Sequence, residues 1–434
     1  MTVAEGQAWR SFVLGEFLRV KHGYAFKGEH FSDSGPYIVL TPGNFYDEGG
    51  FKHKENEKYY TGDFPSDFLL KRGDLLVVMT EQKVGLLGSP AIVPEADVYL
   101  HNQRLGLIVD LDADLAHRKF LYYLFNFRGV REQIQATANG AKVRHTSPSR
   151  IYEVEVRLPS LEAQCMIASI LSAYDDLIAN NLRRIKILEE MAQALFREWF
   201  VKFRFPGHER VRMVESSLGK VPEGWGPKSL GEICAKITDG AHSSPKSVED
   251  GLPMASVKDL TPFGINLESC RHIASGDFET LVRQGCQPNV GDVLIAKDGA
   301  SALDTVCLLE EKLEIVLLSS VAILRPDVTK VLPILLRHYL DDDATRAYMK
   351  SSFTTGAAIP RVILKDFARA LVVVPPVNLQ QRFNHLARAA ADQTQALIKK
   401  NRVLRRTRDL LLPKLISGDL DVSNLDIPIP EDAA

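Results

Sequence analysis

Three residues in the second half of the chain, Asp304, Glu310 and Lys312, have the types and spacing of a nuclease metal core, D-x5-E-x-K. In such a core two carboxylates hold magnesium and a lysine assists. A pattern this short arises by chance in most chains of this length, and here it falls on a predicted hairpin, LLEEKLEI, with its charges in the turn. The Pro375-Pro376 pair sits between valines, so it does not form the Asp/Asn/Ser-Pro-Pro-aromatic loop that a methyltransferase acting on an exocyclic amine requires. No G-x-G-x-x-G follows a strand pattern and no G-x-x-x-x-G-K-[ST] occurs, which removes the usual dinucleotide and triphosphate cradles. The five cysteines, Cys165, Cys234, Cys270, Cys286 and Cys307, form no C-x-x-C pair. They imply neither a zinc site nor a disulfide framework and read as reduced, buried, apolar side chains. No Ser/His/Asp or Cys/His arrangement rises above background.

Positive charge is the other chemical resource. The formal net charge is −2, so attraction for a polyanion must be local or come from a partner. One segment is strongly basic: between 382 and 408, Arg382, Arg388, Lys399, Lys400, Arg402, Arg405, Arg406 and Arg408 stand against the single acid Asp392. A solvated helix ordinarily interleaves both signs, so this excess suits either phosphate or an acidic partner. Apolar residues at 45% and charged residues at 25% of 434 are ordinary for a globular protein of two or three domains. The start, MTVAEGQAWRSF, has no basic-then-apolar leader, and apolar runs such as 315–324 fall short of the roughly 18 residues of a membrane span. A cytoplasmic protein without membrane contact is expected.

The elements that must position these side chains occur twice. Trp9, Leu14, Gly15 and Glu16 match Trp225, Leu230, Gly231 and Glu232, each pair 216 residues apart. The same offset relates Gly140-Ala141 to Gly356-Ala357, Pro159 to Pro375, Gln164 to Gln380, Leu188 to Leu404 and Leu195 to Leu411, while Gly73-Asp74 answers Gly291-Asp292 at 218. Ordered matches across both halves mark a tandem repeat. Each half opens with a strand-rich region of short apolar runs, DLLVV (74–78) and LGLIV (105–109), then DVLIA (292–296) and VAIL (321–324), with helical patterns over 120–134 and 334–349. A strand ending at proline follows, EVEVRLP (153–159) and RALVVVPP (369–376), and then a long helix.

The first long helix is predicted over about 161–203, with Leu171, Tyr174, Ile178, Asn181, Ile185, Leu188, Ala192, Leu195 and Trp199 on one stripe. The second is predicted over about 379–416, with Leu397, Asn401, Leu404, Arg408, Leu411 and Leu415. Alternating spacings of 3 and 4 are the seam of a coiled coil, and forty-odd residues at about 1.5 Å each make a rod of roughly 60 Å. Such a rod needs cover for its stripe. The simplest arrangement packs the two helices as an antiparallel coiled coil, one globular domain at each end, with a pseudo-two-fold axis between them. Asn181 and Asn401, near mid-seam, either fix register or mark a wet spot. The expected fold is α+β, with a first mixed α/β domain at 1–157, a helix at 158–204, a linker at 205–227, a second domain at 228–373, a helix at 374–420 and a tail at 421–434.

LPSLEAQCMIASILSAYDDLIANNLRRIKILEEMAQALFREWFVKF (158–203) resembles the first shared spacer helix of type I restriction enzyme specificity subunits. SLGKVPEGWGPKSLGEI (217–233) resembles that family's entry into its second target-recognition domain, LRRTRDLLLPKLISGDLDV (404–422) its C-terminal end, and HNQRLGLIV (101–109) also fits. Two segments depart from the pattern: VPPVNLQQRF (374–383) is a loose version of the post-proline motif, and Ser320-Val321 stands where the first half has Gln103-Arg104. The resemblance implies a non-catalytic, sequence-specific subunit of a type I restriction–modification complex that reads a bipartite, asymmetric site on double-stranded DNA. It also implies two docked methyltransferase subunits, with restriction and translocase subunits attached through them. S-adenosylmethionine, ATP and magnesium would belong to those partners, with no cofactor in this chain.

On that reading, base edges are met by Arg, Lys, Asn, Gln and hydroxyl groups in loops flanking the short strands. The candidates in the first domain are Tyr24, Lys27, Thr80, Gln82, Lys83, Asn102, Arg104, Lys142, Arg144 and His145, with KVRHTSPSR (142–150) its most basic short loop. In the second they are His242, Ser243, Ser244, Lys246, Lys258, Lys297, Asp298, Ser301 and Arg361. Taken singly, each also reads as an ordinary solvated surface residue. Because the halves share a plan but differ in loop residues, the two half-sites are expected to differ. Two further readings fit the residues: the recognition subunit of a methylation-only phage-defence system, and a coiled-coil scaffold displaying two domains for ligands other than nucleic acid.

Overall fold

The computed structural model describes residues 9–54, 56–81, 85–140, 143–356, 360–422 and 425. The chain divides into two compact units, one of residues 1–180 and 401–434, the other of residues 181–400. The division therefore falls inside both long helices.

In the first unit, strands Arg19–His22, Leu105–Val109, Leu75–Val78 and Pro90–Ile92 form an antiparallel sheet in that order. Phe31–Ser32, Tyr59–Tyr60, Tyr37–Val39 and Tyr99–Leu100 form a second sheet whose last pair is parallel. The run LLVV is unbroken because its strand is covered on both faces, unlike a half-exposed strand that alternates. Leu75 and Val77 pack with Phe120, Leu124 and Ile134, while Leu76 and Val78 pack with Leu40, Phe45 and Tyr99. Gly73 supports the turn before this strand with φ 89°, a conformation that suits a residue without Cβ. Asp74 Oδ2 closes the turn by accepting from Lys71 N at 2.8 Å.

In the second unit, Cys234–Asp239, Val321–Pro326, Val293–Ala296 and Val306–Leu308 pair in the same order and sense. Ser247–Val248, Arg271–Ile273, Leu252–Ala255 and Val316–Leu317 make the second sheet, again ending in a parallel pair. Val293 and Ile295 face one core, Leu294 and Ala296 another. Gly291 has φ 89°, and Asp292 Oδ2 accepts from Asn289 N at 2.7 Å.

Several expectations are corrected. The helical pattern over 120–134 is two helices, Arg118–Asn126 and Arg128–Ala136, separated at Phe127, whose backbone is extended. That over 334–349 is Pro333–Asp341 and Asp343–Phe353, separated at Asp342, whose side chain caps the second helix through Thr345 N at 3.2 Å. LLEEKLEI is not a hairpin: Val306–Leu308 pairs with Val293–Ala296, and Val316–Leu317 runs parallel to Leu252–Ala255. Cys165 is only partly buried, while the other four cysteines are buried, and burial pushes the Cys234 and Cys307 thiols up to about 12.

Strands Arg10–Val13 and Glu155–Leu158 pair at the base of the first unit, as Gly226–Ser229 and Leu371–Val374 do in the second. The long helices span Leu161–Phe196 and Val377–Ser417, and the first ends in a π-helical turn, Arg197–Val201, instead of continuing as α-helix to 203. Within the first unit, their segments lie antiparallel: Leu171 shares a core with Leu415, Asp175 pairs with Arg408 at 2.5 Å, and Asn401 donates to Ile178 O at 3.5 Å. Tyr123 also donates to Asp175 at 2.7 Å. Burial opposes the Arg408 charge, but Asp175 and Asp409 more than offset it and raise its pKa. Within the second unit, Phe196, Phe200 and Trp199 pack on Phe383, and Arg337 on the domain helix pairs with Glu189 at 2.6 Å. Among the described residues, no helix is long and apolar enough to cross a membrane.

Candidate nucleic-acid interface

In each unit the candidate residues gather at one edge of the first sheet, because antiparallel pairing brings alternate strand ends to the same side. In the first unit that edge holds the exit of Arg19–His22, the exit of Leu75–Val78 and the entry of Leu105–Val109. Tyr24 and Asn102 form an isolated parallel bridge, with Tyr24 N donating to His101 O at 2.9 Å and Gln103 N to Tyr24 O at 3.0 Å. Arg104 N donates to Asn102 Oδ1 at 3.0 Å, and Met79 N to Arg104 O at 3.0 Å. Thr80 pairs with His145 across Thr80–Glu81 and Arg144–His145, and Thr80 Oγ1 lies 3.0 Å from His145 Nδ1. The structure thus brings Tyr24, Thr80, Asn102, Arg104, Arg144 and His145 together. Lys27 is exposed just before the short turn Gly28–His30. Gln82, Lys83 and Lys142 lie outside the described residues.

Not all of these side chains face outward. Arg144 Nη1 pairs with Glu81 Oε1 at 2.9 Å and Nη2 donates to Gln135 O at 2.6 Å. Glu81 is 1% exposed, and its other oxygen accepts from Gly85 N at 3.1 Å and Leu87 N at 2.7 Å. Arg131 holds the same stretch from the other side, donating to Leu87 O at 3.1 Å and to Gly85 O. Glu81 and Arg131 were not among the candidates. The only local signal is an acid, Glu81, one residue beyond an apolar run, which does not reveal a partner.

In the second unit, Ala241 and Leu318 form the isolated parallel bridge, and the exposed residues His242, Ser243, Ser244 and Lys246 follow it. Asp239 joins two candidates: Lys297 Nζ lies 2.5 Å from its Oδ2 and His242 Nε2 lies 3.2 Å from its Oδ1. Lys297 is 6% exposed, so its ammonium faces inward. Asp298 pairs with Arg361 at 3.1 Å across another isolated bridge, and Ser244 Oγ accepts from Arg271 at 2.8 Å. Val257 N donates to Ser320 Oγ at 3.1 Å, which brings the turn bearing exposed Lys258 to this edge. Ser301 is exposed. Among the described residues, no acid lies within ion-pair distance of Lys27, Arg104, Lys246 or Lys258, whereas Arg144, His242, Lys297 and Arg361 each have one. The first group retains uncompensated charge for phosphate or base edges.

The nuclease-like triplet is not assembled. Asp304 pairs with Lys350 at 2.5 Å and Glu310 with Arg388 at 3.2 Å, while Lys312 is exposed. Burial raises the Glu310 pKa. Among the described residues, no group of three His, Cys, Asp or Glu side chains is placed to hold a metal ion. In the basic segment, Arg388, Lys399 and Arg408 have acid partners, while Arg382, Lys400, Arg402, Arg405 and Arg406 are exposed.

Comparison with known proteins finds relatives of the chain in both sequence and fold. Residues 7–190 match the type I restriction modification DNA specificity domain. The chain is 28% identical over 332 residues to the type I restriction enzyme MjaIX specificity subunit of Methanocaldococcus jannaschii, covering 75% of this chain and 73% of that protein. It is 21% identical to the type I restriction enzyme HindI specificity subunit of Haemophilus influenzae, covering 95% of this chain and 99% of the relative. Its fold is similar to the S subunit of a type I restriction–modification system from M. genitalium, with a TM-score of 0.56, 18% identity, and coverage of 96% and 98%.

Proposed function

We propose that this chain, similar to type I restriction–modification specificity subunits, is itself such a subunit and reads a bipartite and asymmetric site on double-stranded DNA, one half with each unit. One observation carries the two-part reading: the same pair of four-stranded sheets occurs in both units, while the residues at their equivalent edges differ. Tyr24, Asn102, Arg104 and His145 stand at one edge, and His242, Ser243, Lys246 and Lys258 at the other. Equivalent scaffolds with different hydrogen-bonding groups favour different base sequences. The two long helices serve as an antiparallel spacer and as docking surfaces for two methyltransferase subunits, with restriction subunits attached through them. The chain supplies recognition, and its partners supply methyl transfer, cleavage and their cofactors. A spacer of helices with 36 and 41 residues, at about 1.5 Å per residue, spans one to two turns of duplex at roughly 34–36 Å per turn.

The test is methylome sequencing of cells expressing this chain with its neighbouring methyltransferase, beside cells lacking the chain. A split, asymmetric adenine-methylation motif that depends on the chain is expected. Unchanged methylation would remove the DNA-reading role and favour a scaffold for other ligands.

A further inference from the structure

Each long helix carries a glutamine at its fourth residue, Gln164 in Leu161–Phe196 and Gln380 in Val377–Ser417. Their exposures are 0% and 1%. A buried amide must find partners for its oxygen and nitrogen, and here those partners belong to two different elements. Gln164 Nε2 donates to Pro159 O at 3.0 Å, on the chain entering the helix, and to Leu115 O at 2.8 Å, in the globular domain. Its Oε1 accepts from His117 N at 2.9 Å, the residue that starts domain helix Arg118–Asn126. Gln380 repeats the arrangement: Nε2 donates to Pro375 O and Lys330 O, both at 2.9 Å, and Oε1 accepts at 2.9 Å from Leu332 N, which starts Pro333–Asp341.

A planar amide held at three points fixes direction as well as distance. We infer that Gln164 and Gln380 are positioning residues that set the angle at which each recognition domain is carried on its long helix, and thereby the number of base pairs accepted between the two half-sites. The inference rests on the two-part DNA reading proposed above. Its sensitivity follows from leverage: a tilt of about 10° displaces loops roughly 20 Å from the junction, a typical domain dimension, by about 3.5 Å. That displacement is close to the roughly 3.4 Å rise of one base pair. Both amides are buried and taken up by backbone atoms, so on this inference base preference within each half-site is independent of these glutamines.

The experiment uses the full chain assembled with its methyltransferase, on duplexes carrying the site found by methylome sequencing. The segment between half-sites is kept or changed by one base pair in either direction. The wild type is expected to prefer the native spacing by about tenfold or more. Gln164→Met and, independently in the other unit, Gln380→Met are expected to flatten that preference to within about threefold while retaining base selectivity in both half-sites. Gln133→Met is the control, since Gln133 also makes three side-chain bonds to backbone, to Gly129 O, Glu155 O and Glu155 N, but not to a long helix. It is expected to lower the melting temperature and leave spacing preference sharp. Folded glutamine variants as selective for spacing as the wild type would overturn the inference, as would flattening by Gln133→Met to the same degree. A wild type that binds without any split-site preference would overturn the two-part DNA reading itself, and this inference with it.

Discussion

Replacing Arg144 with alanine separates two roles for the most basic loop of the first unit. The Arg144 side chain is 28% exposed and its partner Glu81 is 1% exposed. Removing one partner of a buried ion pair costs about 3–5 kcal/mol because the remaining charge is uncompensated. Here the lower end applies, since Glu81 keeps its bonds to Gly85 N and Leu87 N. Loss of the bond to Gln135 O adds about 1 kcal/mol. The expected destabilisation is therefore about 3–4 kcal/mol, which at about 2–4 °C per kcal/mol for a domain of this size is a fall of about 6–16 °C in melting temperature. Denaturant unfolding of R144A, E81Q and the double variant supplies the cycle, with an expected coupling of more than 1 kcal/mol. A base-reading arginine would behave differently, costing about 1–3 kcal/mol of discrimination at one base position with stability intact. If R144A melts within about 1 °C of wild type and loses discrimination at a single base, the structural assignment of Arg144 is refuted.

Two further outcomes follow from buried and surface charge. Burial is the largest influence on His101 and lowers its pKa from 6.5 to about 4, so the unfolded chain binds the proton more readily; stability is present above about pH 6.5 and is lost as pH falls towards 4, by about 3 kcal/mol for this group. Urea unfolding across that window should show a slope that His101→Gln reduces, and an unchanged slope would contradict the burial argument. Asp304→Asn breaks an exposed pair with Lys350, so it should change stability by less than about 1 kcal/mol and leave phage restriction by the assembled complex intact; loss of cleavage would revive the nuclease reading.

The scaffold was legible where local pattern reflects local physics. Unbroken runs such as LLVV and VLIA marked strands covered on both faces, and Gly-Asp marked the turns before them. Helix breaks were not legible: Phe127 and Asp342 interrupt runs whose apolar spacing continues across them. LLEEKLEI misled because its flanking strands choose partners in different sheets, and register between distant strands leaves no trace in a short window. The π-helical turn after Phe196 likewise reflects aromatic packing on Phe383 and Trp225, contacts remote in sequence.

For the candidate interface, the placement of the loops at strand ends was legible, but the state of each charge was not. Glu81 and Arg144 are 63 residues apart, as are Asp298 and Arg361, and Asp239 and Lys297 are 58 apart. These separations hide the acids that hold three of the most attractive candidate cations. The pairings also bear on how a chain of net charge −2 could bind a polyanion. A cation already held by a buried acid contributes little to counterion release, so on the proposed function phosphate affinity falls to side chains such as Lys27, Arg104, Lys246 and Lys258, with the remainder supplied by partner subunits. Acid–arginine pairs at equivalent strand ends would then shape the reading edges, leaving neighbouring exposed groups to distinguish one half-site from the other.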